Sequence, residues 1–298
     1  MFNHQATLIN QRPVSKQFLW RMLWLLTCCS WFSHSASNVP QVSEQQLTPK
    51  YWQAKSASDG DIRMTNSHIK TFNHQLFTTN AHMVRPLEMA PALDQPTLTK
   101  KIASVSSVPK SARFYADGSQ LTATHFQPYL DNTNLNKVQD SNKVQFGLVI
   151  KRAALRTFPT EDRVFNQGMD LDLDRFQETA VFPGEAVAIL HTSTDGLWYL
   201  IQNYNYLAWV RQDAIAIGNK QPIQEYVDNQ DFLLITGAKV FTNYVPMQPK
   251  ISQIQLDMGV KLPLVAEDKQ QLELYGQSTA ATYQVLLPVR NDDGSLSF

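Results

Sequence analysis

Few residues in this chain have the types and spacing that chemistry requires, and most of them fall between positions 156 and 209. His191, Ser193 and Asp195 supply the side chains of a hydrolytic triad within five positions. Triad groups must converge in space, whereas neighbours on a strand and its turn diverge, so this spacing predicts no nucleophilic site. Asp195 before Gly196 instead reads as turn chemistry. Asp170-Leu-Asp-Leu-Asp174 copies the opening of a calcium loop, but its sixth position is Arg175 and its twelfth Val181, where Gly and a bidentate Glu are needed. That run is read as a solvated strand end with Leu171 and Leu173 turned inward. His68, His74, His82 and His125 share no face at ligand spacing. No metal and no cofactor are expected.

Trp198, Tyr199, Tyr204, Tyr206 and Trp209 concentrate around one expected hairpin. Aromatic faces grip sugar rings and extended peptides, and alternate residues of a hairpin must also face a core. Trp198 and Trp209 are assigned to the core first, Tyr204 and Tyr206 to a groove, and Tyr206 is the foremost ligand contact. Arg156, close to Pro159, is suited either to a ligand carboxylate or to bridging loop carbonyls.

These residues need a scaffold, and the composition says which kinds are available. The 298 residues suit two domains or three small ones. Lys+Arg and Asp+Glu are 26 each, so the net charge is +0, which argues against a nucleic-acid binder with its basic stripe. Cys28 and Cys29 are the only cysteines, and residues 30–298 therefore hold neither a cysteine nucleophile nor a Cys-ligated zinc. Arg12, Lys16 and Arg21 precede the apolar run Met22–Phe32 and the small residues Ser35-Ala36-Ser37, the layout of a secretory signal over 1–37. The run is too short to span a bilayer comfortably, so no membrane span is expected once it is removed, and Thr27 and Cys28 fit lipoprotein anchoring poorly.

Residues 38–60 read as a linker, with Tyr51-Trp52 docking on the body. Met64–Phe77 has helical spacing in Ile69, Phe72 and Leu76, with Thr65 as N-cap. Residues 84–112 carry four prolines and are expected to wrap as extended segments and short turns. Four strand-like runs follow at Gln145–Ile150, Ala186–His191, Leu197–Ile201 and Tyr206–Val210, with a turn at Thr194-Asp195-Gly196. Five more lie at Phe232–Ile235, Ala238–Phe241, Val260–Val265, Gln271–Tyr275 and Thr282–Leu287. Short strands in sets of this size close a core by curling up, so the expected fold is mainly β, two small barrels in succession. The chain stops inside a hairpin around Asn291–Gly294, which leaves either a short closing strand or a longer protein cut short.

Leu155-Arg-Thr-Phe-Pro-Thr160, Asp174-Arg-Phe-Gln-Glu-Thr-Ala180, Pro183-Gly184, His191–Trp198 and Tyr206-Leu-Ala-Trp-Val210 occur in an order and spacing that resemble the first bacterial SH3-like (SH3b) domain of NlpC-type, papain-like peptidoglycan endopeptidases. The resemblance implies an N-terminal stabilising segment over 61–143 forming a helical and extended clasp, a first SH3-like domain at 144–220 and a second at 221–298. In that family a catalytic domain with a Cys nucleophile and a His base follows and cleaves the γ-D-glutamyl to diamino-acid bond of stem peptides. No Asp-Cys-Ser-Gly motif is present, so no residue is assigned as catalytic and the chain is expected not to be an enzyme as it stands. Ala208 stands where the family usually has Gly before Trp-Val. The resemblance further implies an exported protein of the periplasm or cell envelope that recognises peptidoglycan stem peptide through Tyr206, Tyr204, Asp195, Trp198 and Arg156, alone or beside a separate catalytic NlpC-type chain. The alternative is an envelope adaptor or scaffold that binds another protein through a strand edge.

Overall fold

The computed structural model describes residues 41–56, 64–280 and 282–298. The signal expected over 1–37, with Cys28 and Cys29, lies outside them, as does part of the linker at 38–60. Two compact units divide the chain, residues 1–67 and 68–298. In the first, a 3-10 turn at Glu44–Leu47 is followed by helix α1 (Pro49–Lys55). Where composition predicts only a linker, the Thr48 hydroxyl accepts the Tyr51 N–H and Pro49 occupies the first helical position, which together start a helix. Trp52 is 57% exposed, stacks edge-on to Tyr51 and donates its indole N–H to the Gln46 carbonyl at 2.7 Å.

Helix α2 (Asn66–Thr79) begins as the first unit ends, close to the range its periodicity predicts. Its Ile69 and Phe72 are 42% and 53% exposed. Further on, the proline-rich stretch holds β1 (Ala92–Asp94) and then α3 (Gln95–Val105), contrary to the extended path expected there. Pro96 sits in the first turn, where a missing N–H costs nothing, and the Asp94 carboxylate caps the Thr97 N–H at 2.8 Å. Leu98 and Ile102 form its buried face. Helix α4 (Ala123–Asn132) buries Phe126 and Tyr129, and β2 (Ser141–Lys143) pairs back onto β1.

Seven strands form the main sheet: β3 (Gln145–Val149), β4 (Ala153–Arg156), β5 (Gln177–Val181), β6 (Ala186–Thr192), β7 (Trp198–Gln202), β8 (Leu207–Arg211) and β9 (Ile215–Gly218). Their order is β5-β4-β8-β7-β6-β3-β9, antiparallel throughout. One buried cluster takes Val149, Leu155, Val181, Ile189, Ile201, Val210 and Ile215, a residue from every strand, so the sheet curls around a common interior. The opposite face of β6, β7 and β8 is also buried: Leu190, Trp198, Leu200 and Trp209 pack under Leu98 and Ile102 of α3. This is why β7 is buried along its whole length and reads as a continuous apolar run. At Gly147, a Cβ would lie 2.7 Å from the Ala216 carbonyl oxygen, so the β3–β9 contact requires glycine there.

Between β4 and β5 the chain makes a long excursion, and here the inward assignment of Leu171 and Leu173 is inverted. They are 48% and 56% exposed, while the Asp174 side chain is 7% exposed. The segment is a series of turns, not a strand, and Asp174 is drawn inside by the Val164 and Phe176 N–H groups and by Arg156.

After β9 comes helix α5 (Lys220–Asp228), followed by β10 (Phe232–Leu234), β11 (Lys239–Phe241), β12 (Gln255–Asp257), β13 (Lys261–Pro263), β14 (Glu273–Leu274) and β15 (Gln277–Ser278). They pair as β10–β13, β11–β12 and β14–β15, and Ile235, Leu256, Val260, Leu262 and Leu287 form the buried cluster of this part, to which β14 and β15 contribute no residue. The expected run at Thr282–Leu287 contributes a single bridge, Val285 to Leu264. A hairpin of β16 (Val289–Arg290) and β17 (Leu296–Ser297) lies along β9, where the Ile217 N–H donates to the Gly294 carbonyl at 2.9 Å. The architecture is therefore mainly β, an SH3-like barrel and a second small β unit preceded by a helical and extended clasp. Among the described residues no helix is long and apolar enough to cross a membrane.

Candidate functional site

The five residues singled out by the sequence fall in three places. Tyr204 and Tyr206 share the turn between β7 and β8. Asp195 and Trp198 lie at the far end of β7, whose five residues separate them from that turn by about 17 Å. Arg156 lies mid-sheet, with Trp209 as its cross-strand partner.

The tyrosine turn is held by polar groups at the end of an otherwise apolar strand. The Asn203 side-chain oxygen accepts the N–H groups of Asn205 and Tyr206 at 3.0 and 2.7 Å, an Asx turn. The buried Gln202 amide donates to the carbonyls of Asn203 and Tyr206. From the turn preceding β6, Glu185 takes the Phe182 N–H on one oxygen and the Asn203 side-chain N–H on the other, at 3.0 and 3.3 Å. The Tyr204 carbonyl accepts the Val84 N–H at 2.8 Å, which ties the N-terminal segment to the same turn. Tyr204 is left 45% exposed, and Tyr206 is half-buried against the barrel interior. Burial raises the Glu185 carboxyl above its ordinary range against the pull of its two donors, and burial, then Glu185, raises the Tyr204 phenol. The result is a hydrogen-bonded turn that presents the exposed Tyr204 phenol near a half-buried carboxylate and leaves Tyr206 partly accessible, side chains able to stack on a ligand and hydrogen-bond to it. Glu185, Gln202 and Asn203 are absent from the sequence reading. Two polar residues closing an apolar strand just before the tyrosines are the signal by which Gln202 and Asn203 could have been found, and nothing local marks Glu185.

At the other end, Asp195 accepts the Ser193 hydroxyl at 2.5 Å, the Leu197 N–H at 2.9 Å and an Asn132 side-chain N–H at 3.1 Å. Burial pushes its carboxyl up, but these donors and Arg211 outweigh it and hold the pKa below the ordinary value. Gly196 takes φ +72° in the turn. His191 contacts the Asn134 carbonyl at 3.1 Å, not Ser193, so the three triad letters form no relay. Trp198 is 2% exposed, with the Arg211 guanidinium 5.4 Å from its ring centroid.

The Arg156 guanidinium pairs with Asp174 at 2.8 Å and donates to the Asp162 carbonyl, the two side chains 5% and 7% exposed. Of the two roles its sequence context allows, the geometry is that of bridging the loop. The loop is fastened from α4 as well: the Tyr129 hydroxyl donates to Asp162 at 2.5 Å, and Phe126, Tyr129, Phe158 and Phe176 form one aromatic cluster. Ala208 points its methyl into the barrel interior, where it is fully buried. No group of His, Cys, Asp and Glu able to hold a metal occurs among the described residues.

Burial pushes the His191 imidazole below its ordinary 6.5, with the Asn134 carbonyl acting in the opposite direction. A base whose folded pKa is depressed contributes stability that is present above 6.5 and lost as pH falls through the folded value. The melting temperature of the wild type should therefore fall on acidification below 6.5 more steeply than that of His191→Gln, which keeps a donor for Asn134. Parallel curves in a thermal-melt series across that range would contradict this.

Residues 162–211 match the SH3 domain family of the SH3b1 type. Fold and match together define an SH3 domain of the SH3b type within the seven-stranded unit. Among solved structures, an NlpC/P60 endopeptidase from Photobacterium damselae subsp. piscicida is similar with a TM-score of 0.56 and 18% identity, over 78% of this chain and 50% of that one. The chain thus spans half the length of that structure, and at this identity the likeness is one of fold. No curated protein sequence matches the chain.

Proposed function

We propose that this is an exported cell-wall protein whose first SH3-like domain recognises peptidoglycan stem peptide at the Tyr204–Tyr206 turn. It would serve as the non-catalytic portion of an NlpC-type γ-D-glutamyl-diamino acid endopeptidase. The observation carrying the reading is the pair of tyrosines held on a rigid turn beside Glu185, within a domain of the SH3b type. The basic, apolar and small-residue layout of residues 1–37 supports export to the periplasm or envelope. On this reading Tyr206 and Tyr204 touch the ligand, while Asp195, Trp198 and Arg156 hold turns and loops in place.

Titrating a labelled sample with a stem tripeptide should shift the amides of 203–206 and 185 without releasing any cleavage product. The Tyr204→Ala/Tyr206→Ala double variant should weaken binding by about tenfold or more. Binding unchanged in that variant would sink the assignment. A second reading, the envelope adaptor, is favoured by β5, which pairs only with β4 and whose register shift at Leu155/Arg156 leaves Glu178 without a cross-strand partner. It predicts no response to stem peptides and capture of an extended protein segment along β5.

A further inference from the structure

A separate concavity lies at the β9 edge of the barrel, away from the tyrosine turn. It encloses about 580 Å³, within the range of small-molecule sites, between β3, the start of α5 and the β16–β17 hairpin. Its floor is apolar, with Val144, Phe146, Ile217 and Leu296. Lys143 and Lys220 also line it, and none of the lining side chains is acidic. Neither lysine forms an ion pair among the described residues, although Lys151 and Lys250 do. The Lys220 ammonium stands 5.9 Å from the Phe146 ring centroid, so a body resting on Phe146 would carry an acidic head within reach of it.

We propose that this groove binds a small amphipathic carboxylate, its apolar or aromatic body on Phe146 and Leu296 and its anion between Lys143 and Lys220. The charge pattern selects the class. Two lysines outside any ion pair, in a groove with no acidic side chain, favour an anion, and the apolar floor favours a ligand with a hydrophobic body over an inorganic ion.

The probe is 3-phenylpropionate, with its neutral amide as the matched control, titrated into the uniformly labelled full chain and followed by amide shifts. Saturable shifts confined to 143–146, 217–220 and 295–298 are expected, with the amide binding about tenfold more weakly. Lys143→Gln/Lys220→Gln should abolish the acid's advantage over the amide, and Lys143→Arg/Lys220→Arg should restore it. Both pairs are exposed substitutions that leave the barrel core untouched. Equal binding of acid and amide, shifts centred elsewhere, or no saturation at millimolar probe would overturn the proposal. Binding at the tyrosine turn is read from different amides, so the two assignments stand or fall separately.

Discussion

Asp174→Ala should cost about 3–5 kcal/mol, because removing one partner of a buried ion pair leaves the other charge uncompensated. The Arg156 guanidinium would keep only the Asp162 carbonyl, in a site where its Nε already lacks a partner. The Val164 and Phe176 N–H groups would lose their acceptor as well. Urea unfolding monitored by tryptophan fluorescence measures the loss. The double variant Arg156→Met/Asp174→Leu separates charge from packing: it should recover most of the stability if the penalty is the stranded guanidinium. A loss below about 1 kcal/mol for Asp174→Ala would place the pair in water and refute the burial argument.

Trp209→Ala should be comparably damaging, at about 3–5 kcal/mol for emptying a large buried aromatic site. Trp209 is fully buried under α3, and its indole donates to the Ser106 hydroxyl at 2.9 Å, which donates in turn to the Thr157 carbonyl at 2.7 Å. The side chain therefore links the end of α3, strand β8 and the loop after β4. Trp209→Phe keeps most of the volume and should cost less, chiefly the hydrogen bond, about 1 kcal/mol, and the residual gap. Hydrogen exchange gives the discriminating readout. In Trp209→Ala the amides of 95–105 should lose protection ahead of those in β6 and β7, whereas uniform loss would mean that α3 is not held through this contact.

The sequence was most legible where both faces of an element are buried. β6 and β7 read as strands because Ala186–Leu190 and Trp198–Gln202 are apolar on both sides, one side meeting the barrel interior and the other α3. The same two-sided burial explains why Trp198 and Trp209 are core without lying inside the barrel. β5 escaped notice because Gln177 and Glu178 face solvent at an edge and mask its pattern. The α3 helix was hidden by Pro96, which marks a helix start as readily as a break. The alternation of Leu171 and Leu173 with aspartates imitates a strand, but the segment is a series of turns in which Asp170 to Leu173 are all exposed, so period two assigns no inward face there. At the candidate site the tyrosines announced themselves by type. Glu185 did not, since it meets Asn203 from 18 positions earlier in the chain, a contact created by the pairing of β6 with β7.

The dual burial of β7 also sets how much of the chain must be kept together for the domain to fold. A segment cut to 162–211, the span that carries the family signature, would leave behind β3, β4 and the α3 helix, and with them the covers of both faces of its central strand. Leu200 and Trp209 would then meet water. The stretch able to bury both faces of β7 is therefore longer than the stretch that carries the signature, because α3 supplies one of the two covers.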